Sequence, residues 1–154
     1  MPKKSAGILL YRFINDDPEF LLVHPGGPLH VKRDAGAWSI PKGEFDESED
    51  PLTVAKREFH EETGQFVPAL EFQELTPVKQ KSGTLVYAWA AEGDLDITDI
   101  ISNTFRLEWP PRSGKWIDAP EVDRAGWFSF DVALDKINPA QAGLVRELLQ
   151  KLTT

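Results

Sequence analysis

The sequence contains no cysteine, and its 154 residues carry only 17 basic against 25 acidic side chains. Without cysteine the chain can form no disulfide scaffold, thiol nucleophile or thiolate zinc site, which is compatible with the reducing cytoplasm. No run approaches the roughly 18 apolar residues of a membrane-spanning helix. The apolar run near the N-terminus stops at Arg12, too early for a secretory signal. The net charge of −8 disfavours general nucleic-acid binding, which needs a basic surface. We therefore expect a cytoplasmic protein without a membrane anchor.

What is present is enough apolar material for a folded core. Hydrophobic residues make up 41% of the chain, and they include nine phenylalanines and five tryptophans. A chain of this length buries about two-thirds of the surface that it exposes when unfolded. Internal repeats, low-complexity tracts and linker segments are lacking. The sequence thus predicts one domain over residues 1–154.

The acidic residues are concentrated in one segment. Residues 43–64 contain eight acidic and two basic side chains, a local charge of −6, while the other 132 residues sum to −2. The acidity therefore belongs to one local feature rather than to the whole surface.

The pattern of the chain predicts an α/β fold. Residues 5–13, 19–24, 72–80, 84–91 and 126–130 have the β-branched and aromatic composition of strands, with turns at 15–18 and 81–83. Asp50 and Pro51 form a helix start and Gly64 a helix end. A second helix is expected after Asn138 and Pro139. The long loop between residues 25 and 38 suggests function, and residues 104–117 support no assignment.

Three glutamates lie on one face of the predicted helix 51–63. At 100° per residue, Glu58, Glu61 and Glu62 fall within an arc of about 100°, away from the apolar stripe that includes Phe59. Glu58 and Glu62 repel each other at i, i+4, and all three lie near the helix C-terminus, where negative charge is disfavoured. A cation bound at this face would relieve both effects. Oxygen ligands suit Mg²⁺ first and Mn²⁺ next.

The spacing of the acidic segment resembles the Nudix box, Gly-x5-Glu-x7-Arg-Glu-U-x-Glu-Glu-x-Gly-U, in which U is a bulky apolar residue. Gly43, Glu49 and the run from Arg57 to Gly64 occupy its fixed positions. The last U is Gln65, a difference that concerns local packing more than chemistry. The resemblance implies an α/β/α sandwich with a mixed β-sheet and a loop-helix-loop motif. It also implies Mg²⁺-dependent hydrolysis of the pyrophosphate in a nucleoside diphosphate linked to another group.

The same resemblance assigns roles to individual residues. Glu61 and Glu62 would be the main metal ligands, Glu58 a further ligand, and the carbonyl of Lys42 a backbone ligand. Arg57 would orient the carboxylates, with Glu49 as its structural partner. Gly43 would allow a tight backbone turn.

A further carboxylate outside the box is expected to complete the metal site or to act as a base. Glu121 is the first candidate because a glutamate six residues before a tryptophan, here Trp127, resembles a segment of dinucleoside polyphosphate hydrolases. Glu108 and Asp123 are alternatives.

The lead-in from Trp38 to Gly43 resembles that of Nudix enzymes acting on dinucleoside polyphosphates and diphosphoinositol phosphates. Candidate substrate contacts are Lys42, Lys32, Arg33 and Lys79 for phosphate, with Trp38 in the lead-in as a further contact. Tyr87, Trp109 and Trp116 are candidates for stacking on a base. The expected substrate is a small-molecule dinucleoside polyphosphate or a nucleoside triphosphate, bound by a monomer or a homodimer. The alternatives are a non-catalytic nucleotide-sensing module and a Ca²⁺-binding domain, although the segment lacks the order of an EF-hand loop.

Overall fold

The structure is a computed structural model that describes residues 2–154. Its strands are β1 (Lys4–Ile14), β2 (Asp17–Pro25), β3 (Lys42–Phe45), β4 (Gln73–Glu74), β5 (Val78–Lys79), β6 (Leu85–Glu92), β7 (Thr104–Glu108), β8 (Trp116–Pro120) and β9 (Val122–Ser129). The helices are α1 (Pro51–Thr63), α2 (Phe130–Lys136) and α3 (Ala142–Leu152), with 3₁₀ turns at Ile97–Asp99 and Pro139–Gln141. Among these residues, no helix is both long and apolar enough to cross a bilayer.

A mixed seven-stranded sheet forms the centre of the molecule. Its path is β4-β6-β1-β2-β9, with β3 added to β1 and β5 to β6. β1 runs parallel to β6 and antiparallel to β2 and β3. Because a central strand is covered on both faces, its apolar residues form a nearly continuous run rather than an alternation.

The two faces of the sheet carry separate cores. On one face, Ile8 and Leu10 of β1 pack with Phe59 of α1. On the other, Leu9 packs with Leu144 and Leu148 of α3. Successive residues of a strand point to opposite faces, so β1 contributes to both layers. The expected α/β/α sandwich is confirmed.

Helix α1 begins and ends at the residues that the sequence indicated. The Asp50 carboxylate accepts a hydrogen bond of 3.0 Å from the Thr53 N–H, which satisfies a free donor of the first turn. Gly64 has a φ of 77° and donates its N–H to the His60 carbonyl at 2.7 Å. This left-handed cap favours glycine.

Three predicted elements differ in the structure. The strand expected over residues 72–80 is broken into β4 and β5, because Thr76 donates its N–H to Glu147 of α3 at 2.8 Å and Pro77 has no N–H. The strand expected at 126–130 begins at Val122, and Phe130 already starts α2. Asn138 caps the 3₁₀ turn at 139–141 rather than α3 itself.

The unassigned segment 104–117 contributes to a two-stranded ribbon outside the main sheet. β7 and β8 pair antiparallel from Thr104 with Pro120 to Glu108 with Trp116. The Glu108 carboxylate closes the turn by accepting from the N–H groups of Arg112 and Gly114, both at 3.1 Å. The chain leaves the ribbon directly at Glu121.

Candidate active site

Three carboxylates meet at one end of α1. One oxygen each from Glu58, Glu62 and Glu121 lies within 4.8 Å of the other two. Glu58 and Glu62 are one helical turn apart, whereas Glu121 lies in the corner between β8 and β9. Glu62 is only 7% exposed. The tertiary fold therefore adds to the helix a carboxylate that is distant in sequence.

Two backbone hydrogen bonds hold the corner of Glu121. Its N–H donates to the Asn103 carbonyl at 3.0 Å, and its carbonyl accepts from the Gly26 N–H at 2.9 Å. The corner is thus tied both to the segment before β7 and to the loop after β2. These bonds position Glu121 independently of its own side chain.

Burial and mutual repulsion disfavour the ionised form of these carboxylates. Desolvation, followed by hydrogen bonding and repulsion from Glu61, raises the pKa of Glu58 to about 7. Desolvation, followed by repulsion from Glu58 and Glu121, raises the pKa of Glu62 to about 9. Desolvation and the charge of Glu61 also raise the pKa of Glu121. A divalent cation would remove this repulsion, and three hard oxygen donors suit Mg²⁺ or Mn²⁺, so the residues fit the metal that the fold family implies.

Lys42 lies beside the carboxylates at the start of β3. Its backbone N–H donates to Glu62 Oε2 at 3.2 Å. Burial lowers the pKa of its ammonium group, and the charges of Glu62, Glu44 and Glu58 oppose that shift. Lys42 and the carboxylates of Glu62 and Glu121 line a cleft of about 250 Å³, whose other walls are Val23, Pro25, Ala37, Ser39, Ile40 and Val122. The cleft thus combines acidic side chains with one cationic side chain.

Gly43 leaves room for the close approach of Glu58. A Cβ atom at residue 43 would overlap Glu58 Oε1 and Cδ. Since glycine has no Cβ, the carboxylate can lie against the backbone of β3. Gly43 therefore positions Glu58.

Arg57 connects the helix to the preceding loop. Its Nη1 lies 3.2 Å from Glu49 Oε2, and its Nε lies 3.8 Å from Glu61 Oε1. Glu49 also accepts from the Asp46 N–H at 3.1 Å. Glu61 is thus adjacent to the three-carboxylate cluster and held by Arg57, while its role as a metal ligand stays a prediction.

The two alternatives to Glu121 are engaged elsewhere. Glu108 closes the β7–β8 turn, as described above. The Asp123 carboxylate lies 2.9 Å from Nδ1 of the buried His24. Of the three candidates, the structure brings only Glu121 to the cluster among the residues it describes.

The predicted substrate contacts are dispersed. Trp38 is 5% exposed and packs edge-on against His24 and Phe128, and its role as a substrate contact stays a prediction. Tyr87 is partly buried and lies edge-on to Phe45.

The predicted basic contacts also lie apart from one another. Lys79 lines a different cleft, of about 660 Å³, with Lys3 and Glu44. Lys32 and Arg33 are exposed on the loop after β2. Lys42 alone among the predicted phosphate contacts lines the carboxylate cleft.

Residues without any motif support the cleft wall. Gln141 is fully buried, accepts from the Ile40 N–H at 3.1 Å and donates to Ser39 Oγ at 3.0 Å. It is 101 residues from Ile40 in the chain. No local pattern could have indicated this contact.

A mixed sheet between helices, with a loop-helix-loop motif that presents clustered carboxylates, defines the class of Nudix proteins. Residues 1–148 match the family model of the NUDIX domain, and the chain belongs to the Nudix family. The predicted enzyme class, a Nudix pyrophosphohydrolase, is confirmed by this match and by the relatives below.

Three relatives with named activities match between 74% and 98% of the chain. The asymmetrical bis(5'-nucleosyl)-tetraphosphatase of Mus musculus is 33% identical over 140 residues, which cover 83% of this chain and 87% of that protein. An 8-oxo-(d)GTP phosphatase of Mycolicibacterium smegmatis is 28% identical over 117 residues, 74% of this chain but only 30% of the relative. The structure of a C. elegans Ap4A hydrolase binary complex superimposes with a TM-score of 0.66 and 25% identity, covering 98% of both chains.

Proposed function

We propose that this Nudix hydrolase cleaves a phosphoanhydride bond in a dinucleoside polyphosphate or a nucleoside triphosphate, and that it depends on Mg²⁺, with Mn²⁺ as a substitute. The observation that carries the proposal is the convergence of Glu58, Glu62 and Glu121 within 4.8 Å beside Lys42. On an acidic surface that is merely solvated, the carboxylates stay exposed, whereas Glu62 is only 7% exposed.

Each residue has a distinct part in the proposed reaction. Glu58, Glu62 and Glu121 hold the metal, with Glu61 and the carbonyl of Lys42 as further ligands. The metal, when bound, would screen the phosphate charges and lower the pKa of the attacking water. The ammonium of Lys42 adds a positive charge at the cleft, and Arg57 orients Glu61 while Glu49 braces Arg57.

Two observations support the substrate class. The mouse and nematode relatives are named for tetraphosphates, and the mycobacterial relative for 8-oxo-(d)GTP. The greater coverage of the mouse and nematode relatives, together with the higher identity of the mouse relative, favours a dinucleoside polyphosphate. Lys32, Arg33, Lys79 and Tyr87 are retained as substrate contacts outside the metal cleft. The proposal includes a cytoplasmic enzyme that acts as a monomer or a homodimer.

A substrate panel tests the proposal directly. Dinucleoside polyphosphates, nucleoside triphosphates, ADP-ribose and diphosphoinositol phosphates would be incubated with Mg²⁺, Mn²⁺ or Ca²⁺ in ¹⁸O-labelled water. We expect turnover with Mg²⁺ and Mn²⁺, and the phosphate that carries the label identifies the phosphorus attacked. Glu47→Gln is the matched control for substitutions at the site, since Glu47 is an exposed acid of the same segment.

Binding of a nucleotide without turnover, detected as a thermal shift with every metal, would overturn the proposed reaction. That result would favour the non-catalytic module. Stabilisation by Ca²⁺ without turnover in Mg²⁺ would instead favour the Ca²⁺-binding alternative.

A further inference from the structure

The segment 101–103, which precedes β7, is hydrogen-bonded to the last turn of α1. The Ile101 N–H donates to the Thr63 carbonyl at 3.0 Å. Two residues further on, the Asn103 N–H donates to the Glu61 carbonyl at 2.8 Å. The last carbonyls of a helix have no partner within the helix, so they are free to accept these bonds. The segment is therefore fixed to the turn of α1 that carries two of the predicted metal ligands.

Ser102, the middle residue of this segment, makes two hydrogen bonds with its hydroxyl group. The hydroxyl donates to the Asn103 carbonyl at 2.8 Å and accepts from the Val122 N–H at 3.0 Å. A serine hydroxyl has one donor hydrogen and two acceptor lone pairs, so a single Oγ atom can make both bonds. Val122 is 20 residues from Ser102 in the chain, and the β7–β8 ribbon lies between them. The hydroxyl therefore joins the two ends of the segment that carries the ribbon.

Glu121 is bonded to this junction on both sides. Its own N–H donates at 3.0 Å to the Asn103 carbonyl, the same oxygen that accepts the Ser102 hydroxyl. The next N–H in the chain, that of Val122, donates to Ser102 Oγ. Val122 is 4% exposed, so removing this acceptor carries the desolvation cost of a buried N–H. The position of the Glu121 backbone thus depends on the Ser102 hydroxyl.

The carboxylates of α1 and Glu121 must keep a fixed separation if they are to bind one cation. Glu58 and Glu62 share a rigid helix, whereas the third oxygen of the cluster comes from the corner between β8 and β9. The other hydrogen bonds described for this corner join backbone atoms, so they do not depend on residue type. The bond to Ser102 Oγ, in contrast, needs a hydroxyl at residue 102. A substitution there therefore tests what fixes the corner to α1.

We propose that Ser102 is a positioning residue whose hydroxyl holds Glu121 at the distance from α1 that completes the divalent-cation site. The hydroxyl is engaged by Asn103 and Val122, so Ser102 acts through the backbone of the corner rather than as a ligand. This inference rests on the metal site of the proposed function. Metal binding is measured without a substrate, so the inference is tested separately from turnover.

The first test measures the affinity of the full chain for Mn²⁺ alone, from the EPR signal of the free ion. Ser102→Ala should raise the dissociation constant about tenfold, the lower end of the loss caused by removing residues that orient metal ligands. Ser113→Ala is the matched control, because Ser113 Oγ accepts the Lys115 N–H at 3.1 Å in the exposed turn at the far end of the ribbon. Equal affinities in the two variants would overturn the inference.

The second test separates the hydroxyl from the rest of the side chain. Ser102→Thr keeps the hydroxyl at a partly buried position, so its dissociation constant for Mn²⁺ should stay within about twofold of that of the unmodified protein. A loss as large as that of Ser102→Ala, in a variant with a folded circular dichroism spectrum, would overturn the inference.

Amide exchange in the metal-free protein gives a readout that involves no ion. In Ser102→Ala, the Val122 and Glu121 amides should exchange with D₂O about tenfold faster by NMR than in the Ser113→Ala control, because the corner has lost a hydrogen bond. Unchanged exchange at both amides would show that the hydroxyl does not hold the corner and would overturn the inference.

Coupling to Glu121 distinguishes positioning from a general effect on stability. Glu121→Gln should weaken Mn²⁺ binding at least about tenfold, and adding Ser102→Ala to it should change the dissociation constant by less than about twofold. Additive effects would overturn the inference. Unchanged binding by Glu121→Gln would overturn both the inference and the assignment of Glu121 to the metal site. Absence of turnover with every substrate, with the coupling intact, would overturn the proposed reaction alone.

Discussion

Replacing Glu62 by glutamine is expected to separate the metal site from the stability of the fold. Glu62 is 7% exposed, and its carboxylate accepts a hydrogen bond from the Lys42 N–H. Glutamine has nearly the same shape, and its carbonyl oxygen can accept the same hydrogen bond. The substitution therefore removes one ionisable group and little else.

The size of the effect follows from the raised pKa. Burial raises the pKa of Glu62 to about 9, whereas the unfolded chain releases this proton near its ordinary value of 4.5. Between these values the folded state binds the proton more tightly, so the free energy of unfolding falls as pH rises. Glu58, with a pKa of about 7, contributes mainly below neutrality. From pH 7 to 9, one such group lowers the free energy of unfolding by roughly 2 kcal/mol.

Urea denaturation with EDTA, followed by tryptophan fluorescence across this pH interval, measures the effect. Without metal, the free energy of unfolding of the unmodified protein should fall between pH 7 and pH 9, and that of Glu62→Gln should fall clearly less. Saturating Mg²⁺ should restore the unmodified protein but not the variant, because binding to the folded state stabilises it. In the substrate assay, kcat of the variant should fall at least about 100-fold.

If the free energy of unfolding depended on pH equally in the unmodified protein and in Glu62→Gln, burial of Glu62 would not be the cause of the loss of stability. Activity close to that of the Glu47→Gln control would refute the assignment of Glu62 to the metal site. These two outcomes are independent, since the first concerns folding and the second turnover.

Three further predictions concern the positioning of the site. Gly43→Ala should lower kcat by about 100-fold with a folded circular dichroism spectrum, since its Cβ would displace the Glu58 carboxylate. Arg57→Lys should reduce kcat by about tenfold, with little change in the urea midpoint, because lysine cannot make the two contacts of the half-exposed guanidinium. Gln141→Leu should lower the free energy of unfolding by about 2 kcal/mol in urea denaturation, since the buried Ile40 N–H loses its acceptor. Unchanged values in any of these assays would contradict the role assigned to that residue.

The helix of the site could be predicted because its signals are local. Asp50, Pro51 and Gly64 define its ends through hydrogen bonds within a few residues. The spacing of Glu58 and Glu62 places them on one face of any helix that forms there. The structure adds only the burial of Glu62, which depends on the walls of the cleft.

Interruptions of the sheet were not predictable from local composition. Residues 72–80 have the character of a strand, but the bond from Thr76 to Glu147 depends on α3 packing against that edge. The ribbon of β7 and β8 was not predicted, because its prolines, tryptophans and charged residues show no regular alternation of apolar and polar positions. Its pairing depends on a turn closed by Glu108.

The sequence by itself determined the family, the class of enzyme and the acidic face of α1, since these depend on residue types at short, regular spacings. The tertiary structure decided which carboxylate joins that face, selecting Glu121 over Glu108 and Asp123. It also placed Trp38 in the core and brought His24 between Asp123 and Arg33. These features depend on contacts between segments far apart in the chain, and pairing and packing of the whole sheet bring those segments together.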